Sequence, residues 1–570
     1  MVKLVYYSPH RSEHPARKGL LRASPETPML FQTRTAKLKN KLRAAFGAVP
    51  SPTYLDGDMA HIRAYYDFRR DRGLDAFLID ETTWNDLDLE RVFKRINPQR
   101  CTSGEQYLYY MLRSPALDQR SYAARDALID YAQQDPERRL RAETILAKLG
   151  CSRRADLCTA FYPSEHGIGM LVLYLVLLAL LPASAVCAAL GADFGLFALF
   201  VSLALNCFVH EFRKRKCQSD FDTVNYIVNM TFAVKRLRKL RDPALDALMR
   251  PAYDSLDRLR SVIRTGGLTN GSDNGKPEDF FLTVTLLDLI TYEFLKNKLG
   301  RCHDDVFVIH EHLGRLDAAI SIASYRAGLA RYARPVLHFD PAAPRRILVK
   351  DMVHPLLERA VPNDLDTACP ILITGSNASG KSTYLKTAAL AAVMAQSICT
   401  VTAGAYEAKA FRIYSSMALR DDLLRGESYY IAETKSLKRI LDAARDGHPI
   451  FCVVDEILRG TNTVERIAAS SEALKAMADS GVVCIAATHD VELCDLLRGI
   501  YAMYHFEEQI SETDMTFDYR IRAGKAYSRN AINLLQIMGF DPLIVENAHK
   551  KANHYLAHGS WPAEGDARPH

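Results

Sequence analysis

The sequence lacks the cysteine pairs that would build a zinc site or a disulfide framework. Its 12 cysteines are scattered, and none forms a Cys-x-x-Cys pair, so we expect reduced thiols in a cytosolic setting. No apolar stretch follows Met1, which argues against a secretory signal peptide. The charge is not strongly one-sided either, because the formal net charge is only +6 over 570 residues. Such a balance permits nucleic acid or anionic lipid as a partner but requires neither.

Basic residues are concentrated at the start of the chain. Residues 1 to 45 contain ten lysines and arginines against two glutamates. We interpret residues 1 to 74 as a basic arm and helix, solvated and partly disordered, with contact to nucleic acid or lipid as the alternative. Residues 558 to 570 have the composition of a disordered tail.

One long stretch carries almost no charge. Ile168 to Leu190 is an apolar run of 23 residues, and a second run of 16 residues extends from Phe194 to Val209. The first is long enough to cross a bilayer as a helix, and the second lies at the short limit. We therefore predict a transmembrane helical hairpin of two spans over residues 167 to 210. A hairpin buried inside a large helical domain is the alternative.

Basic residues flank this apolar block on both sides: Lys148, Arg153 and Arg154 precede it, and Arg213 to Lys216 follow it. The positive-inside rule then places both flanks in the cytoplasm. Two spans are too few for a transport pathway within one chain, so an anchor is the simpler role. We therefore expect a multi-pass membrane protein whose remaining domains lie in the cytoplasm.

The rest of the chain divides into a helical part and an α/β part. Helical spacing of apolar residues predicts a helical region in two pieces, 75–166 and 211–344, with a helix break near Pro243. After about residue 345, short runs rich in Ile and Val alternate with helical stretches. This alternation predicts a parallel sheet covered by helices on both faces, over residues 345 to 557.

A phosphate-binding loop opens the α/β part. Residues 375 to 383 read GSNASGKST, after a short apolar strand and before a helix from Thr383 to about Gln396, which is the context that a P-loop requires. The glycines turn backbone N–H groups toward the β-phosphate, and the helix N-terminus favours negative charge. Lys381 can reach the β- and γ-phosphates of ATP, and the Ser382 hydroxyl can bind Mg²⁺. The predicted binding residues of this loop are Gly375, Asn377, Gly380, Lys381, Ser382 and Thr383.

Two further strands deliver polar side chains to the same edge. FCVVDE at 451–456 ends in Asp455, which we expect to hold Mg²⁺ through water, and Glu456, which we expect to activate the attacking water as general base. IAATHD at 485–490 places His489 at the end of a third strand, where it can hydrogen-bond the γ-phosphate. A surface histidine without a ligand is the alternative interpretation.

One further motif does not fit a nucleotide-binding site that is formed by a single chain. The stretch LLRGESYYIAETKSLKRI at 423–440 combines a Gly-Glu-Ser turn with an amphipathic helix. Ser428 at the start of that helix is suited to bind a γ-phosphate, together with free backbone N–H groups. An ordinary helix cap is the alternative.

These motifs resemble those of the MutS family, the ATPases of the ABC class that act in DNA mismatch repair. GSNASGKST resembles the Walker A motif of the family, DEILRGTNT at 455–463 its Walker B motif, and ATHD at 487–490 its switch histidine. The stretch around Ser428 resembles its signature loop. Residues 75–160 and the helix before residue 344 resemble its helical core and its last lever helix.

The resemblance implies a homodimer in which each subunit supplies Ser428 in trans to the ATP of the other. Lys381, Ser382 and Asp455 would hold Mg-ATP, while Asn377 and His489 would contact the γ-phosphate. Closure of the dimer would move the helical levers, and with them the membrane hairpin or bound DNA. We count Glu456, His489 and Lys381 as the catalytic residues of an ATPase.

The chain also departs from the family pattern. Residues 1 to 74 leave no room for the mismatch-recognition domain, and no clamp domain is visible. Ala360-Val361-Pro362 stands before Asn363, where the family has an aromatic residue that stacks on adenine. Leu458 and Asn462 replace Gly and Ser in the Walker B region. The sequence is therefore most similar to short, membrane-anchored MutS relatives.

Two other functions compete with a dimeric ATPase. The first is a membrane-tethered nucleic-acid-binding switch with little turnover, which the basic arm favours. The second is the ATPase subunit of a transport system, which the combination of P-loop and hairpin favours.

Overall fold

The computed structural model describes residues 34–162, 168–260, 277–375, 379–417, 429–459, 461–510, 515–525 and 531–562. The chain consists of a helical region up to Gly328, followed by an α/β region. All 12 cysteines are free thiols. The helices of the first region are α1 (Arg34–Ala45), α2 (Asp58–Asp71), α3 (Glu81–Asp86), α4 (Leu89–Ile96), α5 (Thr102–Arg113), α6 (Gln119–Gln134), α7 (Pro136–Leu149), α8 (Gly169–Ala189), α9 (Gly195–Lys216), α10 (Gln218–Arg238), α11 (Pro243–Arg258), α12 (Pro277–Thr285), α13 (Leu287–Arg301) and α14 (His303–Gly328).

The helical region is built around the crossing of α5 and α14. All 12 residues of α5 are buried, and the two helices meet at glycines. A Cβ atom on Gly104 would lie 1.8 Å from Asp317 Oδ2, and one on Gly314 would lie 2.5 Å from Tyr107 Cβ. The same crossing holds a buried ion pair, because Arg100 Nε donates to Asp317 Oδ1 over 2.6 Å. Because no side chain separates the backbones at these glycines, the two helices lie close together.

The predicted helix break near Pro243 is confirmed, since α10 ends at Arg238 and α11 begins at Pro243 with Asp242 as its N-cap. Helix α14 is the last helix of the helical region. It ends at Gly328, seven residues before Pro335. The closing residues of α14 meet the turn after α1, because a Cβ on Gly328 would lie 2.3 Å from Gly47 O.

Helices α8 and α9 form a tight hairpin at the predicted apolar block. A Cβ on Gly195 would lie 2.4 Å from Ala188 N, so the turn brings the two helices into direct backbone contact. Both helices are long and apolar enough to cross a membrane, judged by length and composition alone. Only 17% of the most apolar window of each helix is buried, which does not match the alternative of a hairpin buried in a helical domain.

The α/β region contains two sheets rather than the one expected. The six-stranded sheet has the order β10-β9-β4-β8-β7-β6, in which only β10 runs antiparallel to its neighbour. A smaller sheet of order β1-β5-β2-β3 was not predicted, because its strands are short and half-exposed. The strands are β1 (Val336–His338), β2 (Ile347–Met352), β3 (Asn363–Asp366), β4 (Ile371–Thr374), β5 (Ala405–Lys409), β6 (Arg412–Ser416), β7 (Ile450–Asp455), β8 (Val483–Ala487), β9 (Ala502–Ile510) and β10 (Met515–Ala523).

Helices cover the large sheet on both faces, as predicted. Ile371 and Ile373 of β4 belong to one hydrophobic cluster, shared with the helical region, whereas Leu372 between them belongs to a second cluster. Alternation of this kind is what a strand buried on two faces requires. The helices of this region are α15 (Lys381–Ile398), α16 (Tyr429–Ala444), α17 (Thr463–Asp479), α18 (Glu492–Leu496), α19 (Ala531–Ile537) and α20 (Pro542–His558).

Short acidic segments around α3 connect the helical region to the α/β region. Asp80 forms an ion pair with Arg439 of α16 at 2.7 Å, and Asp88 forms one with Lys386 of α15 at 2.8 Å. Between them, Asp86 accepts hydrogen bonds from the hydroxyl of Ser415 and the backbone N–H of Met417 at the end of β6. We call Asp80, Asp86 and Asp88 the acidic junction. It contacts both the helix that starts at the phosphate loop and the helix that follows the Gly-Glu-Ser turn.

Candidate nucleotide-binding site

The phosphate loop lies between β4 and α15. Gly375 and Gly380 have φ angles of 141° and 107°, which side chains rarely tolerate. A Cβ on Gly375 would also lie 3.0 Å from the carbonyl oxygen of Phe506. Lys381 is only 5% exposed, and its ammonium donates to the carbonyl of Gly375 over 2.6 Å. The lysine therefore lies folded back across the loop. Asn377 lies outside the described residues.

Asp455 and Ser382 face each other at the next part of the site. All six residues of β7 are buried, so its last residue, Asp455, lies at the inner edge of the sheet and is 7% exposed. Burial raises the pKa of Asp455, and a hydrogen bond from the Ser382 hydroxyl partly opposes this. Its Oδ1 atom has no hydrogen-bond partner within the described residues. The Asp455 carboxylate, with its Oδ1 atom available, and the Ser382 hydroxyl are groups that fit the preference of Mg²⁺ for oxygen ligands.

Glu456 and His489 come together just beyond the ends of β7 and β8. Glu456 Oε1 lies 3.0 Å from His489 Nε2, and Glu456 Oε2 accepts from Arg459 over 2.6 Å. His489 Nε2 in turn lies 3.4 Å from Lys381 Nζ. These contacts join the carboxyl ends of β7 and β8 to the phosphate loop. The cluster therefore lies where the γ-phosphate of a nucleotide on this loop would be.

The backbone after β7 is held in an unusual conformation. Glu456 has a φ angle of 51° and Leu458 one of 55°, a region that costs a residue other than glycine about 1–2 kcal/mol. Leu458 is nevertheless 5% exposed and packs in the cluster that contains Leu437 and Ile440 of α16. Packing of this leucine thus stabilises a strained loop next to Glu456. Leu458 stands where the MutS-like pattern has glycine.

The strain at Leu458 predicts a reversed order of stability for two variants. Leu458→Gly and Leu458→Ala both lose the buried side chain, at a cost of about 2–5 kcal/mol. A protein with glycine at a given position is normally less stable than one with alanine there. At this φ angle, however, glycine avoids the steric cost that a Cβ atom brings. We expect the glycine variant to have the higher midpoint in chemical denaturation. As a control, Ala476→Gly in α17 should be less stable than the parent, which is the ordinary order of glycine and alanine in a helix. If Leu458→Gly is less stable than Leu458→Ala, that result would contradict the strained conformation.

Glu433 of α16 is a site neighbour that the sequence gave no reason to single out. It is 4% exposed and accepts a hydrogen bond from the backbone N–H of Arg459. Burial, together with the smaller effect of the Glu456 charge, raises its pKa to about 7, although the hydrogen bond from Arg459 and the charge of that arginine oppose the shift. Only its position after the Gly-Glu-Ser turn could have indicated that it packs beside the loop of Glu456. Ser428, in that turn, lies outside the described residues.

A cavity lies beside the phosphate loop. Its volume is about 270 Å³, and Gly380, Thr383, Asn363 and Tyr519 are among its lining residues. The ring of Tyr519 lies against the loop, because a Cβ on Gly380 would be 3.2 Å from Tyr519 Cδ1. Like Glu456 and Leu458, Tyr519 has a positive φ angle, at 54°. It lies at an irregularity in the β9–β10 pairing.

Asn363 fixes this irregularity. Its amide nitrogen donates to the carbonyl of Tyr519 over 2.9 Å, and its amide oxygen accepts the N–H of Ile521 over 2.9 Å. The sequence drew attention to Asn363 and to the missing aromatic residue before it. It did not indicate Tyr519, which follows Asn363 by more than 150 positions and comes from the antiparallel edge strand.

A strand, a glycine-rich loop and a helix, with a buried carboxylate at the end of a neighbouring parallel strand, define a P-loop nucleotide-binding domain. Residues 371–555 match the family model described as MutS domain V. Over residues 371–555 the chain is thus similar to the MutS family. It carries an ATPase domain of the MutS type, a class whose members use ATP with Mg²⁺.

Relatives with similar sequences bear names from mismatch repair. The chain is 29% identical over 268 residues to "DNA mismatch repair protein MutS 2" of Halobacterium salinarum, covering 45% of this chain and 30% of the relative. It is 31% identical over 269 residues to "DNA mismatch repair protein MutS" of Pseudothermotoga lettingae, covering 45% and 32%. With the protein of the same name from Thermosipho melanesiensis it shares 31% over 278 residues, covering 46% and 33%. The chain thus spans about a third of the length of these curated relatives.

Proposed function

We propose that the protein is a MutS-related ATPase that binds and hydrolyses Mg-ATP at a dimer interface and converts closure into movement of its helical region. The observation that carries this proposal is the cluster of Lys381, His489 and Glu456 beside the buried Asp455 and its exposed hydrogen-bond partner Ser382. Cation, metal-binding oxygens and a carboxylate base are the groups that phosphoryl transfer to water requires.

Each residue of the cluster then has one task. Lys381 and the loop N–H groups hold the phosphates, and Ser382 and Asp455 hold Mg²⁺, which neutralises charge on the phosphate oxygens. Glu456 accepts a proton from the attacking water, and His489 contacts the γ-phosphate. In the structure Lys381 is hydrogen-bonded to the carbonyl of Gly375, and Glu456 is hydrogen-bonded to Arg459. Nucleotide binding would therefore exchange these internal contacts for phosphate and water.

The adenine base would stack on Tyr519 in the cavity beside Gly380. This tyrosine would take the role of the aromatic residue that is missing at 360–362. Asn363 supports the proposal, since it holds the tyrosine backbone in its unusual conformation. The side-chain amide of Asn363 already makes these two hydrogen bonds, so the ring of Tyr519 supplies the main contact with the base.

Replacing Tyr519 tests this base-binding role. A stacked base is worth about 1–3 kcal/mol, so Tyr519→Ala should weaken ATP binding by about 5- to 150-fold. Tyr519→Phe keeps the ring and should bind as the parent does. Fluorescent ATP titration measures both. Equal affinities for the alanine and phenylalanine variants would exclude stacking on this residue.

The acidic junction supports the proposed transmission to the helical region. Asp88 is paired with α15, which starts at the phosphate loop, and Asp80 is paired with α16, which follows the turn containing Ser428. If Ser428 acts on the ATP of a second subunit, closure displaces α16 relative to α15. Because the junction contacts both helices, that displacement would move the junction and, through it, α5 and α14.

The hairpin of α8 and α9 would anchor the protein in a membrane, with the ATPase domain in the cytoplasm. Its apolar side chains are largely exposed, for example Phe197 at 72% and Phe200 at 68%, and water is an unfavourable surrounding for so much apolar surface. Arg213 to Lys216 close the hairpin on one side, which supports a cytoplasmic position for that end.

DNA binding is the second candidate, and the names of the relatives favour it. Helix α1 adds support, because it carries Arg34, Lys37, Lys39, Lys41 and Arg43 and no acidic residue. ATPase assays on the detergent-solubilised protein, with and without duplex, mismatched and branched DNA, separate the two functions. Turnover that is lost in Lys381→Ala supports the ATPase, and salt-dependent retention of DNA supports the second function. Absence of turnover in the parent would overturn the proposed ATPase.

A further inference from the structure

A third apolar element lies next to the hairpin. Residues 280 to 290 read FFLTVTLLDLI, with Asp288 as the only charged residue. They form α12 and the start of α13, separated by a break at Leu286, whose φ angle is 54°. Helix α12 packs against α9, and Leu286 and Leu289 share a hydrophobic cluster with Tyr174 and Leu177 of α8.

We propose that α12 inserts into the bilayer beside α8 and α9, so that the membrane anchor is a three-part element rather than a hairpin alone. The proposal rests on the membrane role of the hairpin given above. It adds that the lipid contacts a surface formed jointly by α12 and α9.

The helix break is satisfied from within the protein. Asn206 of α9 is 1% exposed, and its amide donates to the carbonyl of Val284 over 2.8 Å, just before the break. The hydroxyl of Thr285 donates to the carbonyl of Phe281 over 2.7 Å. In hydrocarbon an unpaired backbone group costs several kcal/mol, so broken helices are tolerated only where other protein groups satisfy them. An apolar helix such as α9 would not need a buried amide for its own packing.

Charged and polar groups of the element face one another. His210 Nε2 lies 2.7 Å from Asp288 Oδ2. Arg213 Nε donates to the hydroxyl of Tyr174 over 2.7 Å, and its guanidinium lies 3.3 Å from Glu293. Ionisable residues within membrane segments pair in this way and point toward the protein interior.

The outer surface of the element is apolar instead. Phe280 and Phe281 of α12 are 64% and 59% exposed, and Phe208 of α9 is 68% exposed. Between residues 169 and 209 the only charged side chain is Asp193, in the turn of the hairpin. A polar interior with an apolar exterior is the inverse of a water-exposed helical bundle. A protein partner would be bordered by a polar rim, which the charge-free length of α8 and α9 does not provide, so we assign this surface to lipid.

Quenching by brominated lipid tests the proposal on the full chain. The protein is reconstituted into vesicles of brominated phosphatidylcholine with phosphatidylglycerol, and tryptophan fluorescence is compared with that in unbrominated vesicles. Phe281→Trp reports on α12, Phe197→Trp on the hairpin, and Leu496→Trp on the ATPase domain. The parent, which contains Trp84 and Trp561, gives the baseline.

We expect the added tryptophan at 281 to be quenched to the same extent as that at 197, and the one at 496 to stay at the baseline. Quenching at 197 but not at 281 would overturn the insertion of α12 while leaving the hairpin in the membrane. A second copy of the chain covering Phe281 would give this same result. Quenching at neither position would overturn the anchor as a whole. Phe280→Trp repeats the measurement on the neighbouring residue and guards against a local folding defect at 281.

Discussion

Replacing Glu456 by Gln should lower ATP turnover by about 10²- to 10⁴-fold, the usual contribution of a general base, while ATP binding is retained. Glutamine has the same shape and can still contact His489 and Arg459, which now lie 3.0 and 2.6 Å from the two carboxylate oxygens. It cannot accept the proton of the attacking water. Steady-state phosphate release and ATP titration, measured on the same preparation, separate the two effects.

The same variant should accumulate as an ATP-bound dimer, since hydrolysis is the step that would reopen the interface. Size-exclusion chromatography with light scattering in detergent, with and without Mg-ATP, measures this. Glu492→Gln is the matched control, because Glu492 is an exposed glutamate in α18, three residues after His489. It should behave as the parent does. Rapid hydrolysis by Glu456→Gln would remove Glu456 from the role of base.

The sequence predicted the phosphate side of the site because parallel strands bring their carboxyl ends to one edge. Asp455 ends β7, and Glu456 follows it directly. His489 follows β8, which pairs with β7 residue by residue up to Asp455 and Ala487. Three motifs more than 100 residues apart from first to last could therefore be placed together from the expected parallel direction of their strands. The proposed roles of these residues stay predictions until the variants are measured.

The base side of the site could not be predicted in this way. Tyr519 reaches the phosphate loop through an antiparallel edge strand with an irregular register, and no local pattern fixes a register at such a point. The missing aromatic residue near Asn363 indicated only that something else must contact the base. The break at Leu286 was missed for a similar reason. A leucine at φ 54° has no turn signal in the sequence, since glycine or asparagine is the residue usually found there.

A mixed dimer should recover activity that neither of its parent variants has. Lys381→Ala removes the phosphate contact within one subunit, and Ser428→Ala removes the group that we expect to act in trans. Each homodimer then has two defective sites. In the heterodimer both defects fall on one site, and the other site is intact, because a symmetric dimer joins the loop of one subunit to the signature turn of the other.

Coexpression of the two variants with different tags, followed by two affinity steps, isolates the heterodimer. Its turnover should be about half that of the parent dimer, one intact site of two. The two variant homodimers, purified in the same manner, are the controls and should be nearly inactive. A heterodimer as inactive as its parents would show that Ser428 serves the ATP of its own subunit. In that case the displacement of α16 against α15 would have to arise within a single chain, and the acidic junction would report nucleotide binding rather than dimer closure.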